Sequence, residues 1–203
     1  MASPGTRALQ DAALHADAER PSRRDEILRA AAQLFAERGS RAVGVDDVGA
    51  AVGVTGPAIY RHFVSKDAML AEMLLRISET LLAGGAERVA DVGDDPTTQL
   101  RALIAFHVDF ALDNPALITV QDRDLGSLPE GDAAQVRRLQ RRYVEVWVAV
   151  LAGLHPGADA ARCRARAHAV FGLINSTPHS AGRLSRPAMA VLLADMAWAA
   201  ATA

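Results

Sequence analysis

Residues 52–66 read VGVTGPAIYRHFVSK, and the folding of this stretch decides the rest of the chain. Gly53 permits a sharp reversal, because without a Cβ it enters backbone conformations closed to other residues. Thr55 is placed to cap a new helix, and Pro57 fits that helix's first turn, where no N–H is needed. Ile59 and Phe63, four apart, then point inward and leave Tyr60, Arg61 and His62 outside. The stretch ends on Lys66, the single lysine of the chain.

Working outward, helical spacing continues on both sides. Upstream, Ser22 and Asp25 form a capping-box pair opening a helix over 22–39, with Ile27, Leu28, Ala31, Leu34 and Phe35 on one face and Gly39 as its stop. A second helix spans about 45–52, with Val45, Val48 and Val52 inward and Asp46 and Asp47 in its positive first turn. Downstream, Ser65 caps a fourth helix carrying Met69, Leu70, Met73, Leu74, Ile77 and Leu81, expected to fade at Gly84-Gly85. After a loop near 91–96, helices are expected over roughly 97–113, 115–125, 130–153, 158–180 and 186–202, punctuated by Asn114-Pro115, Leu128-Pro129, His155-Pro156-Gly157 and Arg186-Pro187. Pro178 should end or kink the helix holding Phe171 and Asn175.

The composition agrees with an all-α chain. Half of the 203 residues are hydrophobic but only 4% are aromatic, so Ala, Leu and Val must build the core, and Ala and Leu favour helix. Residues 1–21 lack periodicity and contain Pro4, Gly5 and Pro21, which is the pattern of a mobile arm. Net charge is −2, but residues 22–66 hold seven basic and five acidic side chains, which leaves −4 for the remainder. A mildly basic end on an acidic body is a weak electrostatic sign of a DNA-facing surface. The one cysteine, Cys163, cannot build a disulfide framework or metal cluster and reads as a structural thiol. No apolar run reaches the roughly 18 residues of a membrane span, and the first residues lack a signal-peptide core. A cytoplasmic protein is expected.

Three short helices joined by Gly53-Val54-Thr55 fit a helix-turn-helix. RDEILRAAAQLFAERGSRAVGVDDVGAAVGVTGPAIYRHFVSKDAML, residues 24–70, resembles the DNA-binding head of the tetracycline-repressor (TetR) family of bacterial transcriptional regulators. The combination carries the likeness: LFAERG, VDDVGAAVGV, a small-residue turn, then IYRHF and SKDAML in unbroken spacing. The resemblance implies three domains: the arm 1–21, a DNA-binding domain over 22–66 and a helical effector-binding and dimerisation domain over 67–203, about nine helices in all. It also implies site residues. Thr55, Gly56, Pro57 and Ala58 begin the recognition helix. Tyr60 and His62 match an aromatic-x-His pair on the DNA backbone, and Arg61 takes a variable contacting position. Lys66 pairs with phosphate, and Arg23 and Arg24 reach the backbone or minor groove. Gly44 stands where many members carry a capping Thr, so only its amide can meet phosphate there. Gly56 and Ala58 offer no side-chain hydrogen bonds, which leaves base reading to apolar contact, to Arg61 or to DNA shape.

The resemblance further implies a homodimer through the last two helices, with Ala167, Val170, Phe171, Ile174, Val191, Leu192, Met196 and Ala199 as the seam and Ala160, Ala161, Ala165 and Ala169 allowing close approach. The competing reading of those residues is a core within the chain. An effector pocket is expected among Phe106, His107, Phe110, Tyr143, Trp147, Phe171 and Asn175. Arg137, Arg138, Arg141 and Arg142 form either a solvated face or an anion-receiving rim. The expected function is a ligand-responsive repressor, released from a palindromic operator by a mainly apolar effector of fatty-acid or acyl-coenzyme-A character. A helical adaptor that keeps the fold without operator binding is the other reading. No phosphate loop, G-x-S-x-G, H-E-x-x-H or cysteine pair is present, so neither an enzyme nor a cofactor is expected.

Overall fold

A computed structural model describes residues 22–203 apart from 181 and 183. The arm expected over 1–21 lies outside the described residues. Among those described there is no strand. The helices are α1 (Arg23–Arg38), α2 (Val45–Ala51), α3 (Gly56–Ile59), α4 (Lys66–Asp91), α5 (Pro96–Asp113), α6 (Pro115–Asp124), α7 (Glu130–Leu154), α8 (Ala160–Ile174), α9 (Thr177–Ser180) and α10 (Arg186–Thr202), with one-turn 3-10 segments at Ser40–Ala42 and Leu125–Ser127. None is long and apolar enough by itself to cross a membrane.

The start of α1 is a complete capping box. Asp25 N–H donates to Ser22 Oγ, and Ser22 N–H donates back to the Asp25 carboxylate, each at 3.2 Å. Gly39, at φ 87°, ends the helix. Ile27, Ala31, Phe35, Val48, Ile59 and Phe63 are buried together and hold α1, α2 and α3 as one small head.

Twenty-six residues of α4, about 39 Å at 1.5 Å each, run from that head through the body. The helix does not fade at Gly84-Gly85. Both glycines lie inside it because aromatic rings press on its surface there. A Cβ on Gly84 would meet the Phe106 ring at 2.4 Å, and one on Gly85 would meet the Tyr143 ring at 2.5 Å. The glycines therefore mark close packing, whose gain outweighs their helix penalty of about 1 kcal/mol each.

The body packs α4 against α5 and α7, α7 against α8, and α10 against α5 and α8. The helix expected over 158–180 is broken before Pro178. Asn175 caps α8, its N–H returning to Phe171 C=O at 2.8 Å. The short α9 follows, anchored where buried Thr177 Oγ1 donates to Ala111 C=O at 3.2 Å. Arg186 ties the start of α10 to α5 through both carboxylate oxygens of Asp113, at 2.7 and 2.8 Å. Cys163 is fully buried and packs as a small apolar side chain.

The expected dimer seam divides. Ala167, Val170 and Ile174 are fully buried inside this chain, so they belong to its own core, and Phe171 turns to a cavity wall. Val191, Leu192 and Met196 on α10 remain 63%, 44% and 48% exposed. Ala160, Ala161, Ala165 and Ala169 on α8, and Ala199 on α10, are exposed as well.

Candidate DNA-reading face and effector cavity

The turn between α2 and α3 is as tight as two backbones allow. Gly53 takes φ 73°, and Val54 N–H closes on Gly49 C=O at 2.9 Å. A Cβ on Gly49 would sit 2.8 Å from Val54 C=O. Gly56 is buried rather than presented: a Cβ there would fall 1.8 Å from an Asp46 carboxylate oxygen. It seats α3 on α2 and has no side chain to offer a base.

The remaining tip residues are outside. Thr55, Pro57, Tyr60 and Arg61 are exposed, and Ala58 and His62 are half-buried. The Thr55 hydroxyl makes no cap bond, contrary to expectation, and so remains free. Tyr60 is 57% exposed, and Val64, which the sequence did not single out, is 85% exposed beside it. Ile59 and Phe63, nearly fully buried, hold this tip to the head core.

The cationic residues separate by what already holds them. Arg24 stacks over the Phe63 ring at 4.1 Å, pairs with Glu72 on α4 and donates to His62 C=O. The hydrogen bond from Arg24 holds the Glu72 carboxyl below the usual carboxylate range. Arg24 therefore joins head to body, a role the sequence did not assign to it. Arg23 donates to Glu26 at 2.6 Å and to Val52 C=O at 2.5 Å. Gly44 also departs from expectation: its N–H is taken by Asp47 at 2.7 Å. Lys66 Nζ donates to Ser40 C=O and Val43 C=O at 2.6 and 2.9 Å, satisfying two open carbonyls and leaving one ammonium hydrogen. Arg41 and Arg61 are exposed with no ion-pair partner among the described residues.

In the body, the structure brings five of the seven expected pocket residues together. His107 Nε2 lies 3.1 Å from Asn175 Oδ1, and its Nδ1 lies 3.0 Å from the Tyr143 hydroxyl. This placement fits a neutral imidazole that donates from Nε2 and accepts at Nδ1. Burial lowers the His107 pKa to about 4, partly opposed by the Asn175 bond, so the ring is uncharged near pH 7. Burial likewise pushes the Tyr143 hydroxyl well above the ordinary phenol. Phe171 packs on this pair with ring centroids 5.0 and 5.6 Å away. Trp147 is fully buried behind them, its indole N–H without a hydrogen-bond partner among the described residues.

A cavity of about 330 Å³ opens over this floor, bounded by α6, α7 and α8. Ile118, Gln121, Asp122 and Leu125 supply one wall, and Gln140, Val144 and His168 the facing one. The i, i+3, i+4, i+7 run from Ile118 to Leu125 is a helical stripe that sequence reading passed over. Asp122 is the one carboxylate in the lining, and burial raises its pKa against the opposing pull of His179. Among the described residues no Arg or Lys lines this cavity. Phe106 and Phe110 do not join it. Phe106 turns to Gly84, and Phe110 faces a different cavity between head and body.

The same α6 that walls this cavity grips the head with its last residues. Buried Asp124 accepts from buried Ser40 Oγ at 2.8 Å. Arg123 donates to the α1 carbonyls of Phe35 and, at 3.2 Å, Ala36. A cation on the last carbonyls of a helix is favoured there by the helix dipole. Ser40, Arg123 and Asp124 carried no recognisable motif; their 84-residue separation is closed only in the fold.

Comparison with known proteins accords with this geometry. Residues 27–73 match the family described as bacterial regulatory proteins, tetR family. Residues 93–201, more than half of the chain, match the tetracyclin repressor-like C-terminal domain. The transcriptional repressor KstR2 of Rhodococcus jostii is 32% identical over 178 residues, covering 86% of this chain and 85% of the relative. KstR2 of Mycolicibacterium smegmatis is 32% identical over 133 residues, 64% of this chain and 63% of the relative, so that match spans under two thirds of the relative's length. A solved structure of KstR2 from Mycobacterium tuberculosis superposes with a TM-score of 0.76 at 23% identity, covering 91% of this chain and 95% of that one, which speaks for the fold. The chain belongs to the tetR family of bacterial regulatory proteins, as a helix-turn-helix DNA-binding regulator of transcription.

Proposed function

We propose that the chain works in the cytoplasm as a homodimeric repressor, released from a palindromic operator when an apolar effector enters the cavity beneath α6. The observation that carries this reading is the double engagement of α6, which lines the cavity with Ile118, Gln121 and Asp122 and grips the head at α1 and Ser40 with Arg123 and Asp124. An effector that displaces α6 moves the head. The helix α4 also runs from head to body, but α6 touches both sites within ten residues.

The DNA face comprises Thr55, Pro57, Ala58, Tyr60, Arg61 and His62, with Arg23 and Lys66 at its margin. Gly56 supports it from inside, and Gly44 and Arg24 are committed elsewhere. The exposed apolar residues Val191, Leu192 and Met196 on α10, beside the alanine stripe of α8, form the two-fold seam. Two heads about 34–36 Å apart then read successive major grooves.

The lining sharpens the effector class. A free fatty-acid carboxylate would meet no Arg or Lys among the described residues of the cavity. A neutral ester, thioester or ketone would meet the half-buried Asn175 amide, whose N–H groups have no hydrogen-bond partner among the described residues. An acyl thioester with its charged portion outside, toward the exposed Arg138, Arg141 and Arg142 of α7, therefore fits better than the free acid. The effector must favour the released state by about 1–3 kcal/mol, as typical coupling requires.

The test is binding of the purified protein to its own upstream DNA at two salt concentrations, with and without an acyl-coenzyme-A panel. Saturable, sequence-preferring binding that one acyl thioester weakens at least tenfold is expected. Binding that is equal for unrelated DNA at both salts would refute the regulator reading.

A further inference from the structure

A second cavity, of about 440 Å³, lies between the head and the body. Its head wall is one face of α1: Asp25, Leu28, Arg29, Ala32 and Gln33 recur at helical spacing. Its body wall comes from Met73, Arg76 and Ile77 of α4, Phe110 and Asp113 at the end of α5, and Ala116 and Leu117 opening α6. The volume falls in the range of small-molecule sites, about 300–1,000 Å³.

The lining is divided by chemistry. Leu28, Ala32, Met73, Ile77, Phe110 and Leu117 make an apolar floor. The rim is charged, but its charges are unequally satisfied. Asp25 is ion-paired with Arg76 at 2.5 Å, and Asp113 is held by Arg186 at 2.7 Å. Arg76 is engaged again by Glu72 at 2.7 Å. Arg29 is exposed and has no ion-pair partner among the described residues. The rim therefore holds one uncompensated guanidinium above an apolar trough, and guanidinium pairs well with planar carboxylates.

We propose that this head–body cavity is a second small-molecule site, taking an amphipathic carboxylate whose tail lies on Leu28, Met73, Ile77 and Phe110 and whose carboxylate meets Arg29. It differs from the effector cavity in ligand class as well as place, because that cavity presents no cation. Occupancy wedges α1 against α4 and the start of α6, the surfaces across which the head is oriented. The consequence for DNA rests on the repressor reading above, whereas the binding itself does not.

Decanoate is a suitable probe, titrated calorimetrically into the full-length protein. Arg29→Gln removes the charge at an exposed position, Ala116→Leu fills the trough from its body side, and Phe171→Trp obstructs the effector cavity. Decanoate should bind wild type and Phe171→Trp within twofold of each other. It should bind Arg29→Gln and Ala116→Leu at least tenfold more weakly, and neutral decanol should bind wild type at least tenfold more weakly than decanoate. No decanoate binding, insensitivity to Arg29→Gln or Ala116→Leu, decanol binding as tight as decanoate, or loss in Phe171→Trp would each overturn the site. Calorimetry reads the ligand without DNA, so a failure of operator binding would count against the repressor reading alone.

Discussion

The head and the body place their polar groups in opposite ways. At the head's tip, Thr55, Tyr60 and Arg61 face outward without partners among the described residues. In the body, His107, Tyr143 and Asn175 are turned inward and bonded to one another. Open polar groups on a rigid, well-anchored tip suit a hydrated, charged partner such as a phosphate backbone, because little must be rearranged on contact. Polar groups collected under aromatic rings suit a partner that is mostly apolar and brings one complementary group. Glycine follows the same division. Gly49 and Gly56 admit backbone and carboxylate in the head, and Gly84 and Gly85 admit aromatic rings in the body.

This contrast is open to direct attack. The largest effect should come from Trp147→Ala, which empties a fully buried site and should cost about 3–5 kcal/mol of stability, read as a lower urea midpoint with an unchanged slope. If it instead abolished DNA binding without lowering stability, body and head would not be the separate units described.

A second test uses acid. The folded His107 titrates near 4 against about 6.5 unfolded, so its folded pKa is depressed. The neutral ring's stability is complete above pH 6.5 and is lost as pH falls from 6.5 toward 4, by at most about 3 kcal/mol. In His107→Gln that part of the acid slope should disappear. An unaltered slope would mean that the imidazole is not held neutral by its burial.

In the head, Gly49→Val drives a side chain into the Val54–Gly56 backbone and should weaken operator binding at least a hundredfold, while circular dichroism still reports a helical body. Preserved affinity would show that the turn can shift. Smaller again, Tyr60→Ala and Lys66→Ala should each weaken operator binding roughly tenfold across sequences, about 1.4 kcal/mol. Lys66→Ala should also reduce the salt slope by about one unit if its remaining hydrogen meets a phosphate. An unchanged slope would leave Lys66 only its bond to the Ser40 and Val43 carbonyls. The smallest change is expected for Ser40→Ala: operator affinity within threefold of wild type, but a weaker effector response, measured as the ratio of affinities with and without ligand. An undiminished response would move the coupling away from Asp124.

The sequence by itself determined the all-α class, the capping box at Ser22, the turn at Gly53 and the inward anchoring of Ile59 and Phe63. These are local: each depends on residues within a turn or two, where backbone sterics and helical periodicity act directly. It also named His107, Tyr143, Trp147, Phe171 and Asn175 as neighbours, because few aromatic and amide side chains were available to line a cavity. Only the tertiary structure decided what each exposed or charged residue is free to do. Arg24 is as basic as Arg61 in the sequence, yet Phe63 and Glu72 hold it. Phe106 and Phe110 share a spacing with Tyr143 and Trp147, yet Phe106 packs on Gly84 and Phe110 faces the cavity between head and body. Gly84-Gly85 looked like a helix end until two rings arrived from α5 and α7. The clamp of Ser40, Arg123 and Asp124 exists only once α6 lies against α1. Such partnerships join positions tens of residues apart, and no local pattern encodes which surfaces the packed helices bring together.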